Sequence, residues 1–174
     1  MSYSPSVIAN YFLNKASAED RALTPMQLLK LVYIAHGWHL GYEGRPLLNE
    51  EVQAWRYGPV VHSLYKQVKH YGRGAVRELL PTGRFPWSKD TDVDQNTALL
   101  LDMVWKGYGH YSGTELSDMT HRQGSPWWTA WVDDDGRSQY FAVIDDDVIK
   151  AFYERKIARI RDRTEEAANE AAAN

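Results

Sequence analysis

His36 and His39 stand three residues apart in an apolar stretch, a spacing that puts both imidazoles on one helical face within reach of a shared metal. The rest of a metal site is missing. A hydrolytic zinc helix carries two histidines four apart with a glutamate between them, and no carboxylate stands near this pair. A hydrogen-bonded pair of core histidines is the better reading, with a metal-dependent hydrolase as the weak alternative. His62, His70, His110 and His121 are scattered singly at helix edges and turns, where capping and surface roles are usual. Ser63 follows His62 and Ser112 follows His110 by two, but sequence adjacency does not make a catalytic triad, whose geometry comes from the fold. Asp133-Asp134-Asp135-Gly136 opens like a calcium loop. It lacks the alternating acidic ligands and the closing glutamate, because Ala142, Val143 and Ile144 occupy that neighbourhood. With no cysteine there is no thiol nucleophile, thiolate zinc site or disulfide. No Gly-rich phosphate loop or Gly-x-Ser-x-Gly elbow is present. These residues argue against an enzyme, and no cofactor or metal is expected.

A second kind of chemistry is electrostatic. The chain carries a net charge of −3, yet residues 53–90 hold seven basic and two acidic groups. Aromatic rings interleave with them. Such a section binds a phosphate backbone and stacks bases, or it anchors a protein interface, where Arg, Trp and Tyr predominate. The acidic total, a sequence pI near 6.1 and the lack of a helix-turn-helix signature weigh against direct nucleic-acid binding. The candidate partner-binding residues are therefore Tyr65, Lys66, Lys69, Arg73, Arg77, Arg84, Phe85 and Trp87.

The elements that must position these groups are mostly helical. Thr24-Pro25-Met26-Gln27 is a helix start: Thr24 caps free N–H groups, Gln27 reaches back to the N–H of the cap, and Pro25 sits where its missing N–H costs nothing. From Leu28 to Tyr42 nearly every side chain is apolar on all sides, which places this helix at the centre of its domain. Lys30 breaks the pattern and must stand at a groove edge or be paired. Gly37 and Gly41 on its face let another backbone approach, a helix of the same domain being the simplest neighbour.

Around this unit, Tyr3–Lys15 reads as a first helix and Val52–Tyr57 as a short strand. Gly58-Pro59 reads as the start of a helix to about Tyr71, and Gly74–Thr91 as irregular chain. Asp92 opens another helix. Ser112-Gly113-Thr114-Glu115 is a second capping box, and Ser125-Pro126 begins a helix with Trp127 and Trp131 stacked one turn apart. Tyr140–Ile144 reads as a second strand, and Asp145-Asp146-Asp147 as the acidic start of a last helix. The expected fold is mainly α: a single compact helical domain around a buried central helix, with a small two-stranded β patch. It spans residues 1–164, with an Ala-rich flexible tail over 165–174. At this length a single domain buries roughly 70% of its unfolded surface. The N-terminus lacks the basic and apolar regions of a signal peptide and no apolar run suits a membrane span, so a cytoplasmic protein without membrane association is expected.

The ordered set Thr24-x-x-Gln27-Leu28-x-Lys30-Leu31-Val32-Tyr33-Ile34-Ala35-His36, then Gly44-x-Pro46-Leu47, then Ala54-Trp55-x-Tyr57-Gly58-Pro59-Val60 resembles the Panacea domain. Leu116-Ser117-x-Met119-Thr120-His121 and Ser125-Pro126-Trp127 are similar to the second half of that family. The likeness spans about Ser6 to Tyr153, and His62 stands where the family often has Pro. Members include SocA-type antitoxins and phage-associated proteins. The resemblance implies a helical domain that neutralises a protein toxin in a toxin-antitoxin system by binding it. In the SocA-type branch it also implies an adaptor that delivers the toxin to the ClpXP protease. Regulation of its own operon by DNA binding is the alternative. Thr24, Gln27, Lys30, Tyr33, His36, Trp55, Gly58, Pro59, His121, Pro126 and Trp127 carry the family motif, with mainly scaffold roles expected.

Overall fold

The computed structural model describes residues 2–83, 85 and 87–173. Helix α1 spans Pro5–Ala18 and α2 spans Pro25–Glu43. The α2 start is built as its sequence requires: Thr24 Oγ1 accepts from the Gln27 N–H, and the Thr24 N–H donates back to Gln27 Oε1 at 3.0 Å. Every side chain from Leu28 to Leu40 is buried. Gly44 ends the helix in the left-handed region at φ 67°, its N–H returning to the Leu40 carbonyl.

Strands β1 (Val52–Trp55) and β2 (Gly58–Val61) form an antiparallel hairpin, with Val52 opposite Val61 and Trp55 opposite Gly58. A two-residue strand β3 (Val143–Ile144) pairs on the other side of β1, giving the order β2-β1-β3. The expected strands thus exist, in shortened form, and a third joins them. It comes from Gly58–Val61, where the sequence suggests a helix start. Gly-Pro suits a helix N-terminus and a strand after a tight turn alike. The turn needs φ 104° at Gly58, and the β-branched Val60 and Val61 are buried in extended conformation. Helix α3 therefore begins later, at His62, and runs to Val68 before a 3₁₀ turn at Lys69–Tyr71. Glu50 Oε1 receives the Ser63 N–H at its start.

The segment before helix α4 (Gln95–Tyr108) has no regular structure, and Asn10 fastens it: Nδ2 donates to the Leu80 and Asp90 carbonyls while Oδ1 accepts from the Leu80 N–H. Asp94 rather than Asp92 caps α4, accepting from the Thr97 N–H at 3.0 Å. Helix α5 (Gly113–His121) carries the Ser112–Glu115 capping box. Helix α6 is the short Pro126–Trp128, which widens into a π turn over Thr129–Asp133. Trp127 and Trp131 stack with centroids 5.9 Å apart.

The last helix, α7, spans Asp146–Ala172. Its first half packs on α2, and the glycine face of α2 makes the approach possible: a Cβ on Gly37 would fall inside the Tyr153 ring, and one on Gly41 would lie 2.9 Å from Ile157 Cδ1. From Ala158 onward every described side chain is exposed, and the helix continues through residues 165–172, where the sequence suggests fraying. Among the described residues no helix is long and apolar enough to cross a membrane.

Candidate partner-binding site

Four motif residues, Lys30, Ser117, His121 and Trp127, converge on the β1–β2 hairpin. Four of its backbone carbonyls each meet a side chain from a helix. The Trp127 indole donates to the Trp55 carbonyl at 2.7 Å. His121 Nε2 lies 3.2 Å from the Arg56 carbonyl, while its Nδ1 faces the Ser117 carbonyl at 2.6 Å; the tautomer decides which of the two it donates to. Ser117 Oγ donates to the Tyr57 carbonyl at 3.2 Å. The Lys30 ammonium donates to the Pro59 carbonyl at 3.0 Å. Helices α2, α5 and α6 thus each tie the turn down by side-chain hydrogen bonds, and the buried Pro59 carbonyl is paired.

Gly58 is required here twice. Its φ of 104° disfavours any side chain, and a Cβ would lie 2.6 Å from Lys30 Nζ and 3.0 Å from His121 Cε1. Lys30 is fully buried, and desolvation pushes its amine down to about 7. Of the two roles open to Lys30, the structure shows pairing, with a carbonyl rather than a carboxylate. Outside, the hairpin presents the exposed Arg56 and Tyr57, the guanidinium 5.6 Å from the ring centroid. Tyr57 and Ser117 were legible only as letters of a motif. The usable signal is Gly58 directly after the short β-like run, a residue type that accepts the positive φ a tight turn requires.

The candidate binding residues do not form one patch. Tyr65 packs edge-on against Trp55 at 4.8 Å and lines a cavity beside the hairpin tip. Lys66 and Lys69 are exposed on α3 and its 3₁₀ extension. Arg73 lines a second cavity with Tyr57 and Thr114, whereas Arg77 lines a separate one with Arg21 and Leu23. Phe85 and Trp87 stack at 4.8 Å with their planes 13° apart, and Trp87 is 75% exposed. Arg84, between Gly83 and Phe85, lies outside the described residues.

The histidine pair of α2 is structural. His36 Nδ1 accepts the Leu48 N–H at 3.3 Å, leaving Nε2 to donate to Asp146 at 2.9 Å, so this ring ties α2 to the start of α7. His39 Nδ1 is engaged with the Arg45 carbonyl at 2.8 Å. Among the described residues no three His, Cys, Asp or Glu side chains come together as metal ligands. Gln27, besides its capping role, donates to the Tyr111 carbonyl, and Tyr33 is buried in the α2 core with its hydroxyl pKa raised by desolvation.

Fold and site together define a small helical domain with a three-stranded sheet whose hairpin is tied down by three helices. The family described as "Antitoxin SocA-like, Panacea domain" matches residues 28–128, more than half of the chain. The chain is also 32% identical over 126 residues to Antitoxin SocA of Caulobacter vibrioides (strain NA1000 / CB15N). That match covers 69% of this chain and 66% of the relative, just under two thirds of its length. No solved structure matches. The chain belongs to the SocA-like antitoxin family of Panacea domains.

Proposed function

We propose that this protein is an antitoxin that binds a cognate protein toxin and neutralises it in the cytoplasm. Family membership carries the reading, because the matched segment contains the hairpin and all four side chains that hold its carbonyls. A turn fixed in this way loses little conformational freedom on binding, so its exposed Arg and Tyr are well suited to anchor a partner. The contact surface extends from the tip along the basic section of Lys66, Lys69 and Arg73, with the exposed Phe85–Trp87 stack as a second anchor.

The neighbouring reading frame supplies the test. Expressed alone it should arrest growth, and together with this chain it should not. Growth arrest that co-expression fails to relieve contradicts the reading. Delivery of the toxin to ClpXP is a separable part of the proposal. It predicts a shorter toxin half-life in a reconstituted reaction only when antitoxin and ClpXP are both present; an unchanged half-life leaves neutralisation by blockade alone.

A further inference from the structure

The cavity beneath the hairpin tip has an unusual composition. It encloses about 300 Å³ with walls from Met26, Leu29, Trp55, Tyr57 and Tyr65, and Lys30 and Arg56 also line it. No acidic side chain takes part. Among the described residues Lys30 makes one hydrogen bond, to Pro59, although an ammonium has three donors. Burying a cation without an anion is strongly unfavourable, and the depressed basicity of Lys30 reflects that cost.

Apolar walls with two cations and no counter-charge are complementary to a bulky apolar group next to a carboxylate. In a polypeptide both belong to one residue at the C-terminus, and a cavity of this size takes one such residue. A larger cavity of about 650 Å³ shares Met26 and Tyr57 with the first, is bordered by Arg73 and Thr114, and is also free of acidic lining. We propose that the small cavity seats the C-terminal residue of the toxin, its apolar side chain among Met26, Trp55 and Tyr65 and its carboxylate at the exposed Arg56 guanidinium, with the buried charge of Lys30 behind the cavity wall. The proposal rests on the antitoxin reading for the identity of the partner, but not for the chemistry of the cavity.

Two experiments separate these parts. N-acetyl-phenylalanine and N-acetyl-leucine are titrated against their primary amides while the Met26 methyl and Trp55 indole resonances are followed by NMR. Saturable shifts at both reporters are expected, with the acids binding at least about tenfold tighter than the amides. Lys30→Met should reduce that preference. Arg56→Ala and Tyr57→Ala, at the exposed tip, should each weaken the acids while leaving the fold intact, which keeps the test valid if the Lys30 variant does not fold. No shift at either reporter, or equal binding of acid and amide, overturns the cavity assignment. The second experiment compares the toxin with a form extended at its C-terminus by a Gly-Ser tail. At least about tenfold weaker capture of the tailed form supports the proposed occupant, and equal capture overturns it. If the untailed toxin is not bound at all, the antitoxin reading fails instead, and the acid–amide comparison still decides the cavity.

Discussion

The ammonium of Lys30 and the carbonyl of Pro59 stand 3.0 Å apart in the interior, linking the central helix to the hairpin, and no carboxylate pairs with that charge among the described residues. An uncompensated cation at this depth couples stability to pH. The folded-state pKa is about 7, against 10.5 for the free side chain. Below about pH 7 the amine is charged in both states and the burial penalty is fully present. Between these values the unfolded chain binds more protons than the folded one, so stability rises with pH.

Chemical denaturation at pH 7 and at about pH 9.5 should therefore show a gain of about 1–3 kcal/mol at the higher pH. Lys30→Met should remove most of it. Lys156, whose pKa is lowered by burial, contributes in the same direction and remains in the variant. The range stops short of pH 10 because Tyr33 and Tyr153, with pKa values raised by burial, oppose the trend once unfolded tyrosines ionise. An identical slope in wild type and Lys30→Met contradicts this account of the lysine.

Gly58→Ala should be among the most damaging single methyl additions. It forces a side chain into the left-handed region and pushes the new Cβ against Lys30 and His121. A loss of about 1–3 kcal/mol in urea denaturation is expected for the backbone alone. A variant as stable as wild type would mean that the turn is not held as described.

Gly37→Ala tests the α2–α7 packing. The methyl group would occupy the volume of the Tyr153 ring, which packs edge-on against Trp38 at 5.2 Å. Overpacking costs about 1–3 kcal/mol when neighbours adjust. The expected midpoint shift should be largely reversed in Gly37→Ala/Tyr153→Leu, and failure of that rescue places the damage elsewhere.

Trp127→Phe keeps the ring near His121, whose centroid lies 4.2 Å away, but removes the donor to the Trp55 carbonyl. Losing the hydrogen bond to this half-buried carbonyl should cost about 0.5–1.5 kcal/mol. Amide hydrogen exchange should speed up first in Val52–Val61. Uniform acceleration across the whole chain would argue against a local clamp.

Much of this scaffold is legible in the sequence, and the reason is locality. Thr24 and Gln27 signal a cap because both partners lie within one helical turn, and Ser112 with Glu115 does so for the same reason. The all-apolar run of α2 marks the centre, and Gly37 with Gly41 marks a close approach without naming the helix that makes it. Gly58-Pro59 is ambiguous for the opposite reason. The groups that make it a hairpin arm are Lys30, Ser117 and His121, which come from distant parts of the chain. The site shows the same limit. A basic, aromatic section is visible as composition, but Asn10 binding at Leu80 and Asp90 helps set the path of the irregular segment, so Arg77 and Arg73 line different cavities.

Reversing charge at Lys66, Lys69 and Arg73 to Glu should leave the denaturation midpoint within about 0.5 kcal/mol of wild type, since all three are exposed. Toxin capture should weaken at least about tenfold, with a shallower salt dependence of the on-rate. Unchanged affinity and salt dependence would remove the basic section from the interface. A labelled operon-promoter fragment should show no salt-sensitive shift with the wild-type protein.

The most direct measurement of the central claim is titration of the purified chain with the purified product of the neighbouring toxin gene, by calorimetry at moderate ionic strength. The account predicts a stoichiometric complex of sub-micromolar Kd, with affinity reduced in Tyr57→Ala and in the charge-reversed triple variant. No measurable binding between two folded proteins, while the toxin remains active in the same buffer, would contradict it.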